Sequence, residues 1–274
     1  MNGDPTTSEY GLLGVRDFDF ALDRVPVSAD LADLVERHWL VRWSLPPGRR
    51  EQITLLPQPC VNLIFDQGRL VIGGVGRERF SYECTGTGRV FGVKFRPGGF
   101  RPFLGRSVAE LTDQVRPLAT LWGGPAADSF TAELTRAREL ADLVAVAERH
   151  LRAHWPAPDP EVATVGRIVN ALLYDRTITR VDDVSKRFNI PARTLQRLFG
   201  RYVGVSPKWV LRRYRLHEAA ARLTAATGAN WAEVAAELGY FDQSHFIRDF
   251  TRAVGLTPAA YAEATRRHAA PLSA

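Results

Sequence analysis

The sequence predicts a two-domain protein: a β-rich, barrel- or sandwich-like domain with flanking helices, then an all-α domain with two helix-turn-helix motifs joined by a long helix. Three observations predict this. Short apolar or alternating runs separated by Gly and Pro fill residues 38–96, the pattern of strands and turns. The run Pro156-Ala-Pro-Asp-Pro160 cannot continue a helix and reads as a linker. Beyond it one helical pattern occurs twice, fifty residues apart, the mark of a repeated supersecondary unit. The expected domains are 1–156, a β-rich sensor or dimerisation part ending in a helix, and 160–268, the helical part.

The strand expectations fall on His38-Trp-Leu-Val-Arg-Trp-Ser-Leu, Gln52-Ile-Thr-Leu-Leu, Val61-Asn-Leu-Ile-Phe, Leu70-Val-Ile, Arg79-Phe-Ser-Tyr-Glu and Val90-Phe-Gly-Val-Lys-Phe. Short strands at such regular spacing favour a small barrel or sandwich over a parallel sheet with crossover helices. From Ser129 to Trp155 the period changes. Leu134, Ala137, Leu140, Val144, Ala147 and Leu151 recur at three- and four-residue steps, which predicts one amphipathic helix packed on the barrel or on a second subunit.

Charge separates the two parts. Residues 160–274 hold 17 Lys and Arg against 10 Asp and Glu, whereas residues 1–159 hold 19 against 20. A basic domain beside a neutral one suits a polyanion partner, most often nucleic acid, because neutralising phosphates releases condensed counterions. An Arg-rich composition across the whole coding sequence would give the same excess. No apolar stretch reaches the length of a membrane-spanning helix, and the first residues lack the basic-then-apolar order of a signal peptide, so a cytoplasmic protein with no membrane contact is expected. Two cysteines, Cys60 and Cys84, are expected as free thiols in that compartment.

Within the repeat, Val184, Ser185, Phe188, Asn189 and Ile190 return as Val234, Ala235, Leu238, Gly239 and Tyr240. After one inserted residue, Leu195, Arg197, Phe199, Gly204, Ser206 and Pro207 return as Phe246, Arg248, Phe250, Gly255, Thr257 and Pro258. Thr179 with Asp182, and Asn230 with Glu233, have the spacing of a helix cap. A small residue, Ser185 or Ala235, allows a second helix to approach. Asn189 or Gly239 supplies the left-handed turn. The second helix of each unit turns Leu195, Leu198 and Phe199, or Phe246 and Phe250, to the core. Its outer face then carries Arg193, Thr194, Gln196, Arg197 and Arg201 in the first unit, and Gln243, Ser244, His245, Ile247, Arg248 and Arg252 in the second. Arg pairs with guanine and Gln with adenine in two-point fashion, while Ser and His serve bases or phosphates. Pro207 begins a long connecting helix to Thr227, with Trp209, Tyr214, Leu216, Ala220 and Leu223 along it; a rigid connector predicts recognition helices in successive major grooves, about 10 base pairs apart.

Gly239-Tyr-Phe-Asp-Gln-Ser-His-Phe246, with Arg248, Phe250 and Gly255-Leu-Thr-Pro258-Ala-Ala-Tyr261, closely resembles the signature of the AraC/XylS family of bacterial transcription regulators. Leu195-Gln-Arg-Leu-Phe199 and Gly204-Val-Ser-Pro207 match the same family, and the likeness spans about residues 161–265. The resemblance implies DNA contact by Arg193, Gln196 and Arg197 and by Gln243, Ser244, His245 and Arg248. It also implies partners: double-stranded DNA, with a small-molecule effector, a homodimer mate and, for an activator, RNA polymerase as further candidates. Pro191 departs from the family's usual Ser cap, and Ser185 from its usual Ala. Val90-Phe-Gly-Val-Lys-Phe-Arg-Pro-Gly-Gly-Phe-Arg-Pro-Phe-Leu104 and Ala109-Glu-Leu-Thr-Asp113 resemble sensor-type domains found ahead of such units.

In the first domain, Trp39, Trp43, Phe65, Phe91 and Phe95 either line an apolar effector pocket or fill the barrel. His38, Cys60 and Cys84 have no metal-site spacing, so no metal or other cofactor is expected. Arg96-Pro-Gly-Gly-Phe-Arg reads as an anion-binding loop or a structural turn. The expected function is sequence-specific transcription regulation without catalysis. The rivals are an architectural DNA-binding protein and a cupin-like enzyme fused to a DNA-binding domain, the latter disfavoured by a β region with one histidine, His38.

Overall fold

Alternation in the first half builds two antiparallel sheets in the computed structural model, which describes residues 12–13, 18–225 and 231–269. The strands are β1 (Leu12–Leu13), β2 (Asp19–Pro26), β3 (Val35–Ser44), β4 (Arg50–Leu55), β5 (Asn62–Asp66), β6 (Arg69–Gly73), β7 (Phe80–Thr85), β8 (Thr87–Phe95) and β9 (Val115–Pro117). Six of them run β2-β3-β8-β5-β6-β9 and three run β1-β4-β7. The larger sheet is open, with β2 and β9 at opposite edges, so the domain is sandwich-like rather than a closed barrel.

The two faces of the large sheet have different covers. On one, Leu40, Leu63, Phe65, Phe91, Val93 and Phe95 form a core with Phe130, Leu134, Leu143, Ala147 and Leu151 of the following helices. On the other, Trp43, Val90 and Ile64 meet Ile53, Cys84 and Tyr82 of the small sheet. The helices of this half are α1 (Arg101–Leu104), α2 (Ala119–Trp122), α3 (Gly124–Arg136) and α4 (Leu140–Ala153). The single helix expected over residues 129–155 is therefore two. Ala137 is extended (φ −64°, ψ 131°), and the three-residue steps Leu134–Ala137–Leu140 carry the apolar stripe across the break without marking it. This pair packs on the protein's own sheet.

The second half holds α5 (Pro160–Tyr174), α6 (Val181–Phe188), α7 (Ala192–Tyr202), α8 (Pro207–Ala225), α9 (Trp231–Glu237), α10 (Gln243–Val254) and α11 (Pro258–Ala269). Asp159 caps α5 by accepting from the Glu161 amide at 3.1 Å, and it also accepts from the Tyr202 hydroxyl at 2.8 Å. Two cores form, one around α5–α7 and the start of α8, the other around the rest of α8 with α9–α11. Leu34 and Val75 of the first half enter the former and Leu56 enters the latter. The halves are thus joined by shared apolar packing as well as by residues 154–159.

Candidate nucleic-acid interface

Each helix-turn-helix unit is set by a left-handed turn residue and closed by a left-handed glycine. Asn189 (φ 50°) ends α6 and Gly239 (φ 71°) follows α9, as the residue types predicted. The backbone repeats to the same bond: the Ile190 amide donates to the Ser185 carbonyl at 3.1 Å, and the Tyr240 amide donates to the Ala235 carbonyl at 2.9 Å. Ser185, in place of the usual Ala, uses its hydroxyl to donate to the Ile190 carbonyl at 2.6 Å. Gly204 (φ 92°) follows α7 and Gly255 (φ 89°) follows α10.

The capping differs from the sequence expectation in two places. Asp183, not Asp182, caps α6: its carboxylate accepts from the Thr179 and Arg180 amides, both at 2.9 Å, and from the Thr179 hydroxyl at 3.1 Å. Those hydrogen bonds hold the Asp183 carboxyl below its usual range against the opposing effect of burial, which is the largest single influence. Pro191 occupies the N-cap of α7 without a side-chain bond. The corresponding N-cap of α10 is Asp242, which accepts from the His245 amide at 2.6 Å and which the repeat pattern does not single out. Asn230 and the end of the connecting helix at Thr227 lie outside the described residues.

Leu195 and Phe199 of α7, and Phe246 and Phe250 of α10, are fully buried. That orientation leaves Arg193, Thr194, Gln196, Arg197 and Arg201 exposed on α7, and Gln243, Ser244, His245, Arg248 and Arg252 exposed on α10. Ile247, expected on that outer face, instead packs partly against the second core. His245 lies near Asp249, its Nε2 3.8 Å from Oδ2, while Asp249 itself pairs with Arg212 on α8. Among the described residues, ion pairs of the helical half engage Arg176, Arg187, Arg212 and Arg222. They leave the arginines of the two outer faces to solvent, the arrangement that phosphate and base-edge contacts require.

The first domain touches both units. Ser107 donates to the Gly200 carbonyl at 3.2 Å and Thr112 to the Gly204 carbonyl at 2.7 Å. In the second unit, a Cβ on Gly255 would lie 2.1 Å from an Arg79 guanidinium nitrogen. Arg213 of α8, buried and stacked 4.5 Å from the Trp209 ring centroid, donates to the Arg77 carbonyl at 2.6 Å. His217, one turn on, lies beside Pro57, and burial lowers its pKa to about 3. Sequence patterns gave no sign of this surface, because its residues read as ordinary strand ends and helix positions.

The proposed effector-pocket residues do not converge. Trp39 and Trp43 pair across the strands with Gly92 and Gly88, and a Cβ on either glycine would lie about 2 Å from the indole, so each ring rests on bare backbone of β8. Their ring nitrogens donate to Asn62 Oδ1 and to the Thr85 carbonyl, both at 3.2 Å. Phe65, Phe91 and Phe95 lie on the opposite face, in the helix-covered core. Both sets fill space rather than line it. His38 is buried near Glu148, Nε2 to Oε1 3.4 Å, and burial lowers its pKa. Cys60 and Cys84 are buried free thiols. The Arg96 segment forms a turn, with the Gly99 amide on the Arg96 carbonyl at 2.8 Å and Arg96 Nε on the Ala32 carbonyl at 2.6 Å.

Comparison with known proteins matches residues 184–264 to a helix-turn-helix domain family and residues 23–117 to a domain of unknown function, DUF6597. The HTH-type transcriptional regulator ExsA of Pseudomonas aeruginosa is 32% identical over 80 residues, which is 29% of this chain and 28% of ExsA. The chain therefore spans under a third of that relative's length. Among solved structures, the C-terminal domain of AraT, a response regulator from Geobacillus stearothermophilus, is 23% identical over 42% of this chain and 93% of its own, with a TM-score of 0.36. ToxT from Vibrio cholerae is 11% identical over 91% of this chain and 99% of its own, with a TM-score of 0.41. TM-scores this low do not by themselves establish a common fold. Within the region matched to the helix-turn-helix family, turn, closing glycine and buried aromatic recur together in both units, so this part of the chain is a doubled helix-turn-helix domain similar to the matching segment of ExsA.

Proposed function

We propose that this protein regulates transcription by binding duplex DNA sequence-specifically, α7 and α10 entering successive major-groove segments about one helical turn apart. The observation that carries this reading is the pair of solvent-facing polar surfaces, Arg193, Thr194, Gln196, Arg197 and Arg201 on one and Gln243, Ser244, His245, Arg248 and Arg252 on the other. Each sits opposite a buried aromatic anchor in a half with a basic charge balance. Arg and Gln supply two-point base contacts, and the remaining cations supply phosphate contacts.

In this reading residues 160–268 contact DNA and residues 1–156 modulate that contact through a small molecule or a second subunit. Contacts from the first domain to Gly204 and Gly255, at the ends of both recognition helices, support modulation through helix placement. Selection of binding sites from random duplex DNA by the full chain at physiological salt tests the proposal. The expected product is a bipartite site with two blocks about one helical turn apart. Recovery of no consensus, with binding that depends only on salt, would replace this reading by an architectural one.

A further inference from the structure

The two units differ in length by one residue. Four residues separate Ile190 from Leu195 and five separate Tyr240 from Phe246. Pro191 and Asp242 are the helix N-caps, and each stands four residues ahead of its buried anchor, Leu195 or Phe246. The extra residue therefore falls between Tyr240 and Asp242, and it is Phe241.

Its neighbours are tied down by hydrogen bonds, whereas its own side chain is uncovered. Tyr240 is buried with its amide bonded to Ala235, and the Asp242 carboxylate holds the His245 amide, so the backbone on either side is set. Phe241 itself is 95% exposed, and no other large apolar side chain among the described residues exceeds 67%. A residue just ahead of an N-cap commonly packs against the fourth helical residue and fixes the chain's entry. Ile190 does join the core that holds Leu195. Phe241 makes no such use of Phe246, since almost none of its surface is covered.

We propose that Phe241 reads the 5-methyl group of a thymine in the DNA segment entered by α10. This rests on the reading of α10 as a recognition helix. The leading residues of such a helix contact base edges, and the thymine methyl is the apolar feature of the major groove, met by apolar side chains such as Phe. Gln243, Ser244 and Arg248 on the same face read hydrogen-bonding groups and cannot read a methyl. Phe241 completes the set.

The test uses the full chain and its Phe241→Ala and Phe241→Leu variants. Sites are selected from random duplex DNA with each protein, and the wild-type consensus is then remade with single thymines replaced by deoxyuridine, which lacks only the methyl. The expected result is one thymine, in one block, whose replacement weakens wild-type binding about fourfold, the factor carried by burying one methyl group. Phe241→Ala should bind both duplexes equally and select no thymine there. Phe241→Leu should keep part of the preference, and all three proteins should melt at the same temperature. A consensus indifferent to deoxyuridine, or a penalty that persists in Phe241→Ala, overturns this proposal and leaves the regulator reading standing. Failure of the wild type to select any consensus removes both.

Discussion

The first helix-turn-helix unit is held in a core that the β-rich half helps to build, through Leu34 and Val75, whereas the second meets that half mainly through Leu56 and the Arg79 contact at Gly255. Their internal construction is nonetheless the same down to the turn hydrogen bond and the left-handed closing glycine. Backbone geometry and one buried aromatic define the unit, while caps and surroundings are adjusted separately in each copy. The first lacks a side-chain cap on its recognition helix and leans on its neighbours; the second caps itself with Asp242 and carries Phe241.

The largest expected effect probes the shared anchors. Phe199 and Phe250 hold equivalent places and are fully buried, so alanine at either should cost about 3–5 kcal/mol in denaturant unfolding. If both copies matter equally to the whole chain the two losses should agree; a much smaller loss at Phe250 would mean that the second unit opens on its own. Next come the equivalent arginines proposed to face DNA. Arg197→Ala and Arg248→Ala should each lose about 1–3 kcal/mol of discrimination at one base pair of the selected site, in different blocks. Loss spread evenly over all sequences would assign them to phosphates instead.

A smaller difference should separate the caps. Asp242→Ala should destabilise by about 1 kcal/mol, while Pro191→Ala, which removes no cap bond, should change stability much less; equal effects would erase the contrast drawn between the units. The last effect appears with pH. His217, on the helix that links the units, has its pKa lowered by burial from 6.5 to about 3, and His38 is shifted the same way. The unfolded chain takes up these protons near pH 6.5 and the folded one does not, so stability is complete above that pH and falls as the solution becomes more acid. For His217 the slope should be on the order of 1 kcal/mol per pH unit, and His38 adds to it in the same direction. In His217→Leu the slope between pH 6 and 5 should be shallower than that of the wild type; an unchanged slope would show that His217 does not stay neutral.

What the sequence made legible follows from how local each feature is. Asn189 and Gly239 signal their turns because few residue types tolerate that backbone, and Leu195–Phe199 and Phe246–Phe250 mark the buried face through helical spacing. Trp39 and Trp43 share a face by parity along β3, but their relation to Phe91 and Phe95 depends on cross-strand register, which the sequence does not state. Strand β2 escaped notice because none of its residues is buried, so it lacks the apolar alternation of an inner strand. Leu34, Leu56 and Val75 look like any strand-end residues, and only the docking of the helices shows their use.

Thr112 and Val108 touch the glycine that closes one recognition helix, and Arg79 touches the glycine that closes the other. Under the proposed function, two segments of one sheet domain would therefore act as the jaws of a gauge set against the pitch of a duplex. A ligand or second subunit that slid one jaw past the other would detune the pair while leaving every outer-face side chain of the two helices uncovered. Control by spacing, in a protein of this build, needs no lid over the reading heads.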